Sequence, residues 1–489
     1  MSGNFKKYEK KYLKYKTKYL TLKGGGIEDT DVKNMDTRTY EDEPTISSGY
    51  DDDNKNIYGY LVLLRDNPES YIDLENYNAI HTINFSSKRW GEALDGYNKS
   101  KQPILTYDIP SGFFNFEEAT TMLEKIILSN ECKQIGEYFC SNCDLLKEIK
   151  INKCTGLSKI GSFFLNGCTA LEELALPPNI EFIGKNFLTD CTALKKLHLD
   201  TLGKLKSIDE KFCNNCTKLE ELTLPPNIES IGENFLTGCN TLEQLPLDTY
   251  KNLTSIGEGF CNMCEKLTEV KLPPNIEIIK DTFLQNCTTL VVITFPPKIK
   301  TIGNYFLAEC KKLKEVQFGG IKHIIYGLGD YMSTPEDKIE TIGEHFLSKC
   351  ERLQKITVPK TVSGIGSHFL TGCNGLSELD LSGLSKLTEI PEFFCTNCSN
   401  LKTIKLPSHI IKISKNFCYG CRKLIEIILP RYIEVIDDNF LTECTNLKKI
   451  YVTKNEDGSE NIDIHKLLVP YESIFQAKSV EILDWPIII

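Results

Sequence analysis

Five Phe-Cys-x-x-Cys segments, at 139–143, 212–216, 260–264, 394–398 and 417–421, carry residues whose type and spacing could do chemistry. Cys-x-x-Cys is half of a zinc site or a dithiol redox pair. Cys395, Cys398, Cys418 and Cys421 fit C-x2-C-x19-C-x2-C, the spacing of a four-thiolate zinc site built from two adjacent pairs. A redox pair would need an exposed, acidic thiolate at a helix start. Other chemistry is scarce. The seven His (81, 198, 323, 345, 368, 409 and 465) are scattered, and H-E-x-x-H, G-x-S-x-G and the phosphate-loop pattern are all missing. Neither catalysis nor a cofactor is expected.

The elements that must position these cysteines emerge from an internal repeat. One Cys per unit recurs at 143, 168, 191, 216, 239, 264, 287, 310, 350, 373, 398, 421 and 444, at spacings of 23 or 25 residues except for one of 40. In all thirteen units a Phe stands four residues before this Cys, an Ile eight before, and a Leu three after. Two more apolar positions follow, as in Leu171, Leu174 and Leu176, and their alternation predicts a short strand with one face inward. LPPNIE at 176–181, 224–229 and 272–277 then ends the strand, because Pro removes a ladder donor. Each unit is therefore a strand, a turn, a second short extended piece and a tight return. The position seven before the Cys is often Gly, such as Gly184 and Gly232, which predicts positive φ or a close backbone approach. Asp209, Lys280 and Pro391 at the same position show that the need is not absolute.

The unit resembles the 23-residue BspA-like class of leucine-rich repeats, whose pattern L-x-x-I-x-L-P-x-x-V-x-x-I-G-x-x-A-F-x-x-C it matches at the Leu, Ile, Pro, Ile-Gly and Cys positions. It departs at Ala-Phe, which here is Phe-Leu or Phe-Cys, as in Phe235-Leu236 and Phe212-Cys213. The resemblance covers about 105–452. It implies a right-handed solenoid, with parallel β-strands on the concave face and short turns or helical pieces on the convex face.

This frame reinterprets the Cys pairs. The first Cys of each pair occupies a column that is Leu at 165, 188, 236, 284, 307, 347, 370 and 441 and Cys at 140, 213, 261, 395 and 418. A position that accepts Leu calls for apolar volume, and free Cys is a small buried hydrophobe. Core thiols without metal are the expectation, with the four-thiolate site at Cys395, Cys398, Cys418 and Cys421 as the alternative. His345 and His368 share a column with Asn186, Asn234 and Tyr305 and read as solvated variable positions.

Partner binding is expected on the surface the repeat leaves variable. Five residues after the Cys, seven units carry Glu (148, 173, 221, 269, 315, 378 and 426) and three carry Lys (196, 355 and 449). Glu173, Glu221, Glu269, Glu315, Glu378 and Glu426 are the candidate contacts for a basic or mixed-charge protein. The 40-residue spacing is one 23-residue unit plus 17, centred on 319–337, where Tyr326 and Tyr331 could serve an interaction loop.

Outside the array, residues 1–23 carry eight Lys against one Glu, with Phe5, Tyr8, Tyr12, Tyr15, Tyr19 and Leu22 at alternating spacings of three and four. This predicts a basic amphipathic helix, stopped by Gly24-Gly25-Gly26, that self-associates or docks on an anionic partner. Its Lys/Tyr composition looks like N-terminal stretches of giant-virus proteins. Residues 24–56 hold ten acids against three bases and predict a disordered linker. Residues 57–103 are read as an N-terminal cap or small domain, 104–452 as about fourteen units, and 453–489 as a C-terminal cap. The net charge of −10 disfavours general nucleic-acid affinity. With no apolar run long enough for an export signal or a membrane span, an intracellular site is expected, in host cytoplasm or virion for a viral protein. The expected function is a non-catalytic, protein-binding scaffold; the alternative is a structural or virion-associated protein that works through its basic N-terminal segment.

Overall fold

In a computed structural model, the described residues are 47–48, 80–84, 107–109, 124–128, 132–318, 338–430, 432–453, 467–471 and 480–484. The basic segment 1–23 and the insertion bearing Tyr326 and Tyr331 lie outside them.

Each coil contributes two strands, not one. The L-x-L strands, such as Lys196–His198, Glu221–Thr223 and Glu269–Lys271, run parallel in a first ladder that is divided into several sheets. The second extended pieces, such as Ser207–Ile208, Ser230–Ile231 and Ser255–Ile256, form another. Register is strict: Leu174 pairs with Leu197 and Leu197 with Leu222, while Ile208 pairs with Ile231 and Ile231 with Ile256. A one-residue slip would turn these apolar side chains outward, so the alternation fixes the pairing. Ile80–Asn84 joins the first ladder before Lys125–Ile127, and Glu481–Asp484 joins it after Lys449–Val452.

The return through Phe and Cys is not helical, contrary to the helical pieces anticipated there. It is a run of turns in which the residues five and one before the repeated Cys have left-handed φ in all thirteen coils, from 53° at Asn186 to 77° at Gly238. Alternating handedness points successive N–H groups along the stack. Asn186 donates to the Glu210 carbonyl (2.9 Å), Leu188 to Phe212 (2.7 Å) and Asp190 to Asn214 (2.8 Å). Neighbouring coils are thus hydrogen-bonded on three sides, and the buried backbone of the return is satisfied without a helix.

The core is a set of columns along the stack. The column Phe, from Phe139 to Phe440, are buried, with successive ring centroids between 4.7 Å (Phe187–Phe212) and 6.2 Å (Phe394–Phe417). Gly184 and Gly232 answer a close approach and not a positive φ: a Cβ there would lie 2.5 Å from the Ser162 and Glu210 nitrogens. The 40-residue spacing does not interrupt the stack. Glu315 pairs with Lys355, Thr301 with Thr341, and Phe306 stacks on Phe346 at 5.9 Å, so the coils on either side of the longer spacing stack directly.

Candidate functional site

All twenty Cys are buried, and no disulfide joins any of them. The repeated Cys has a polar task that Leu could not fill: its thiol donates to the carbonyl of the residue three before the repeated Cys of the preceding coil. Examples are Cys191 to Leu165 (3.1 Å), Cys239 to Cys213 (3.3 Å) and Cys310 to Leu284 (3.2 Å), and the series runs from Cys168 to Cys444. Burial pushes the Cys310 and Cys373 thiols up to about 12 and raises Cys140, Cys213 and Cys261 well above the ordinary thiol range. Such thiols are poor nucleophiles at neutral pH.

One place differs. Of the four candidate zinc ligands, Cys395, Cys418 and Cys421 come together, their sulfurs all within 4.8 Å of one another. Cys398 stands outside this group and donates to the Leu370 carbonyl (3.0 Å). Hydrogen bonds from Cys395, Cys398 and Cys418 hold the Cys421 thiol well below the usual range, the reverse of the other shifted cysteines.

The candidate Glu row lies on the outward face of the first ladder, one side chain per coil. Glu173, Glu221, Glu269 and Glu378 are exposed, and Glu315 and Glu426 half-buried. Lys196 meets Glu221 at 2.8 Å and Lys125 pairs with Glu148; each hydrogen bond holds its carboxyl below the ordinary range. By repeat position the row from Glu221 to Glu315 reads Glu221, Gln244, Glu269, Val292, Glu315, with strand pairing from Gln244 to Glu315 and no basic residue in it, although Lys271 lies beside Glu269 at 3.7 Å.

His345 and His368 are not freely solvated. Tyr305, His345, His368 and Phe393 occupy the left-handed column five before the Cys and stack face to face, at 4.4, 4.2 and 4.4 Å between centroids and within 7° of parallel. Burial lowers both imidazole pKa values. Spacing alone hid this feature, because the Asn residues in the same column read as solvent-facing rather than as tolerant of positive φ.

Two parallel ladders, a buried Phe column and an outward row of one residue per coil define a leucine-rich-repeat solenoid. The chain belongs to the BspA type leucine rich repeat region family, whose model matches residues 109–243, 241–327 and 330–455. No curated protein matches the sequence. Among solved structures, a leucine-rich repeat protein from Bacteroides ovatus is 21% identical, with 77% of this chain and 88% of that chain covered and a TM-score of 0.48. A leucine rich cell surface protein from Faecalibacterium prausnitzii is 18% identical, covering 74% and 86% with a TM-score of 0.42. The pneumococcal vaccine antigen PcpA is 16% identical, covering 78% and 85% with a TM-score of 0.42. Among the described residues no helix is long and apolar enough to cross a membrane.

Proposed function

We propose that this chain is a non-catalytic scaffold that binds a basic or mixed-charge protein through the outward row of its first ladder. The supporting observation is the row from Glu221 to Glu315. In-register pairing sets Glu269 and Glu315 on alternate coils, roughly 10 Å apart at two strand spacings with only Val292 between them, and Glu221 holds the same repeat position two coils before Glu269. A rigid, evenly spaced acidic row favours encounter with a partner of opposite charge and fixes its register. The burial of every thiol supports the non-catalytic reading.

The test uses the full chain, a Glu221→Lys/Glu269→Lys/Glu315→Lys variant and the chain lacking residues 1–56. A partner held by the row is lost on charge reversal, weakens with salt and survives the truncation. Capture by residues 1–60 alone would move the contact to the N-terminal segment and overturn the reading.

A further inference from the structure

The column three before the repeated Cys holds Cys in two successive coils at a single place, Cys395 and Cys418. Cys140 is followed there by Leu165, Cys213 lies between Leu188 and Leu236, and Cys261 between Leu236 and Leu284. In-register stacking brings the Cys395 and Cys418 sulfurs to 2.9 Å. Cys421 supplies a third sulfur within 4.8 Å of both, and no other group of three potential metal ligands converges in this way among the described residues. Two cysteines alone would point to a disulfide; a third sulfur facing both points to a ligand set.

We propose that Cys395, Cys418 and Cys421 bind one Cu(I) ion as a three-coordinate thiolate site. Three metal–sulfur bonds of about 2.3 Å set sulfurs about 4 Å apart, within the spread of this triangle once the Cys395–Cys418 pair opens by about 1 Å. The choice of metal follows from the missing fourth donor. Zinc takes four ligands. The group contains no His or carboxylate, its members have no surface open to water, and the Cys398 sulfur does not lie within 4.8 Å of all three. Soft thiolates without a fourth ligand suit Cu(I). Each copper–sulfur bond releases one thiol proton to solvent, with no change in the oxidation state of sulfur or copper, so uptake strengthens as pH rises.

The test loads the reduced full chain with Cu(I) under a competing chelator and measures retained copper and its sulfur coordination number by X-ray absorption. The expected result is about one copper per chain with about three sulfur neighbours, retained in Cys398→Ser and Cys213→Leu and reduced at least roughly tenfold in Cys418→Leu. Leu fills this column in eight coils, so both Leu variants keep the fold. Equal copper in Cys418→Leu, copper spread over several Cys pairs, retention of zinc with four sulfurs that is lost in Cys398→Ser, or a Cys395–Cys418 disulfide in protein purified without reductant would each overturn the proposal.

Discussion

Replacing Phe260 by Ala tests whether the Phe column holds the coils together. The Phe260 ring has no exposed surface and lies between Phe235, at 5.6 Å and 12° between planes, and Phe283, at 5.0 Å and 30°. Truncation removes six buried carbon atoms and leaves a cavity between the neighbouring coils, which the ladders keep from closing over it. Phe→Ala in such a site costs about 3–5 kcal/mol. Both flanking rings also lose a stacking partner, at about 0.5–1.5 kcal/mol each, which places the effect near the upper end. The assay is urea unfolding of the reduced chain followed by circular dichroism, with Ile278→Thr as the control. Ile278 is 52% exposed on the second ladder, next to Thr301 in the same column, and its replacement should stay within about 0.5 kcal/mol. Since coils interact only with their neighbours, the Phe260→Ala transition should also broaden or split as the halves uncouple. A loss below about 1 kcal/mol with an unchanged single transition would refute the view that the stacked rings are the cohesive core.

Met263 holds a left-handed φ of 60° where Gly stands at 167, 238, 372 and 420, so Met263→Gly should stabilise the chain by about 0.5–1 kcal/mol, and a loss in urea midpoint would contradict the strain argument. His345 and His368 are lowered below their ordinary pKa, so the unfolded chain binds protons more readily. Their contribution is complete above about pH 6.5 and declines as pH falls through the folded values. Thermal midpoints of the wild type and the His345→Asn/His368→Asn variant between pH 7.5 and 5 should therefore differ in slope, the variant being flatter; parallel curves would refute it. Deleting residues 319–335 restores a 23-residue spacing and should change stability by less than about 1 kcal/mol, because the flanking coils already pair directly. Thiol counting with an aromatic disulfide reagent should find almost no fast-reacting Cys in the native chain and all twenty after unfolding; several fast native thiols would mean that the columns are open.

The strand, the Phe column and the burial of the Cys pairs were legible because strict spacing exposes any column that every coil fills alike. Leu at 165 or 236 in place of Cys was enough to mark those thiols as core. The left-handed columns left a fainter trace: Asn142, Gly167, Asp190, Asn215 and Gly238, one before each repeated Cys, are residues that tolerate positive φ, but Met263, Glu309 and Lys349 in the same column obscure it. The thiol-to-carbonyl ladder explains why the repeated Cys is never Leu, yet a hydrogen bond to the preceding coil has no signature in a single unit. Nor does spacing reveal side-chain direction, which is why the two Cys pairs between 395 and 421 resolve into a convergent group of three with the Cys398 sulfur outside it.

Hydrogen bonding between coils on three sides also governs how the array responds to mechanical load. With tension applied between its ends, force runs along the stack and across the strands, so the backbone bonds of the terminal coil are opened while those farther in remain sheltered. A released coil of 23 residues extends to roughly 80 Å while giving up only about 5 Å of stack. Stretching should therefore yield a series of small, nearly equal steps instead of one global rupture, with a longer step where the 40-residue spacing pays out. The solenoid would act as a compliant tether that lengthens coil by coil and keeps its remaining surface intact.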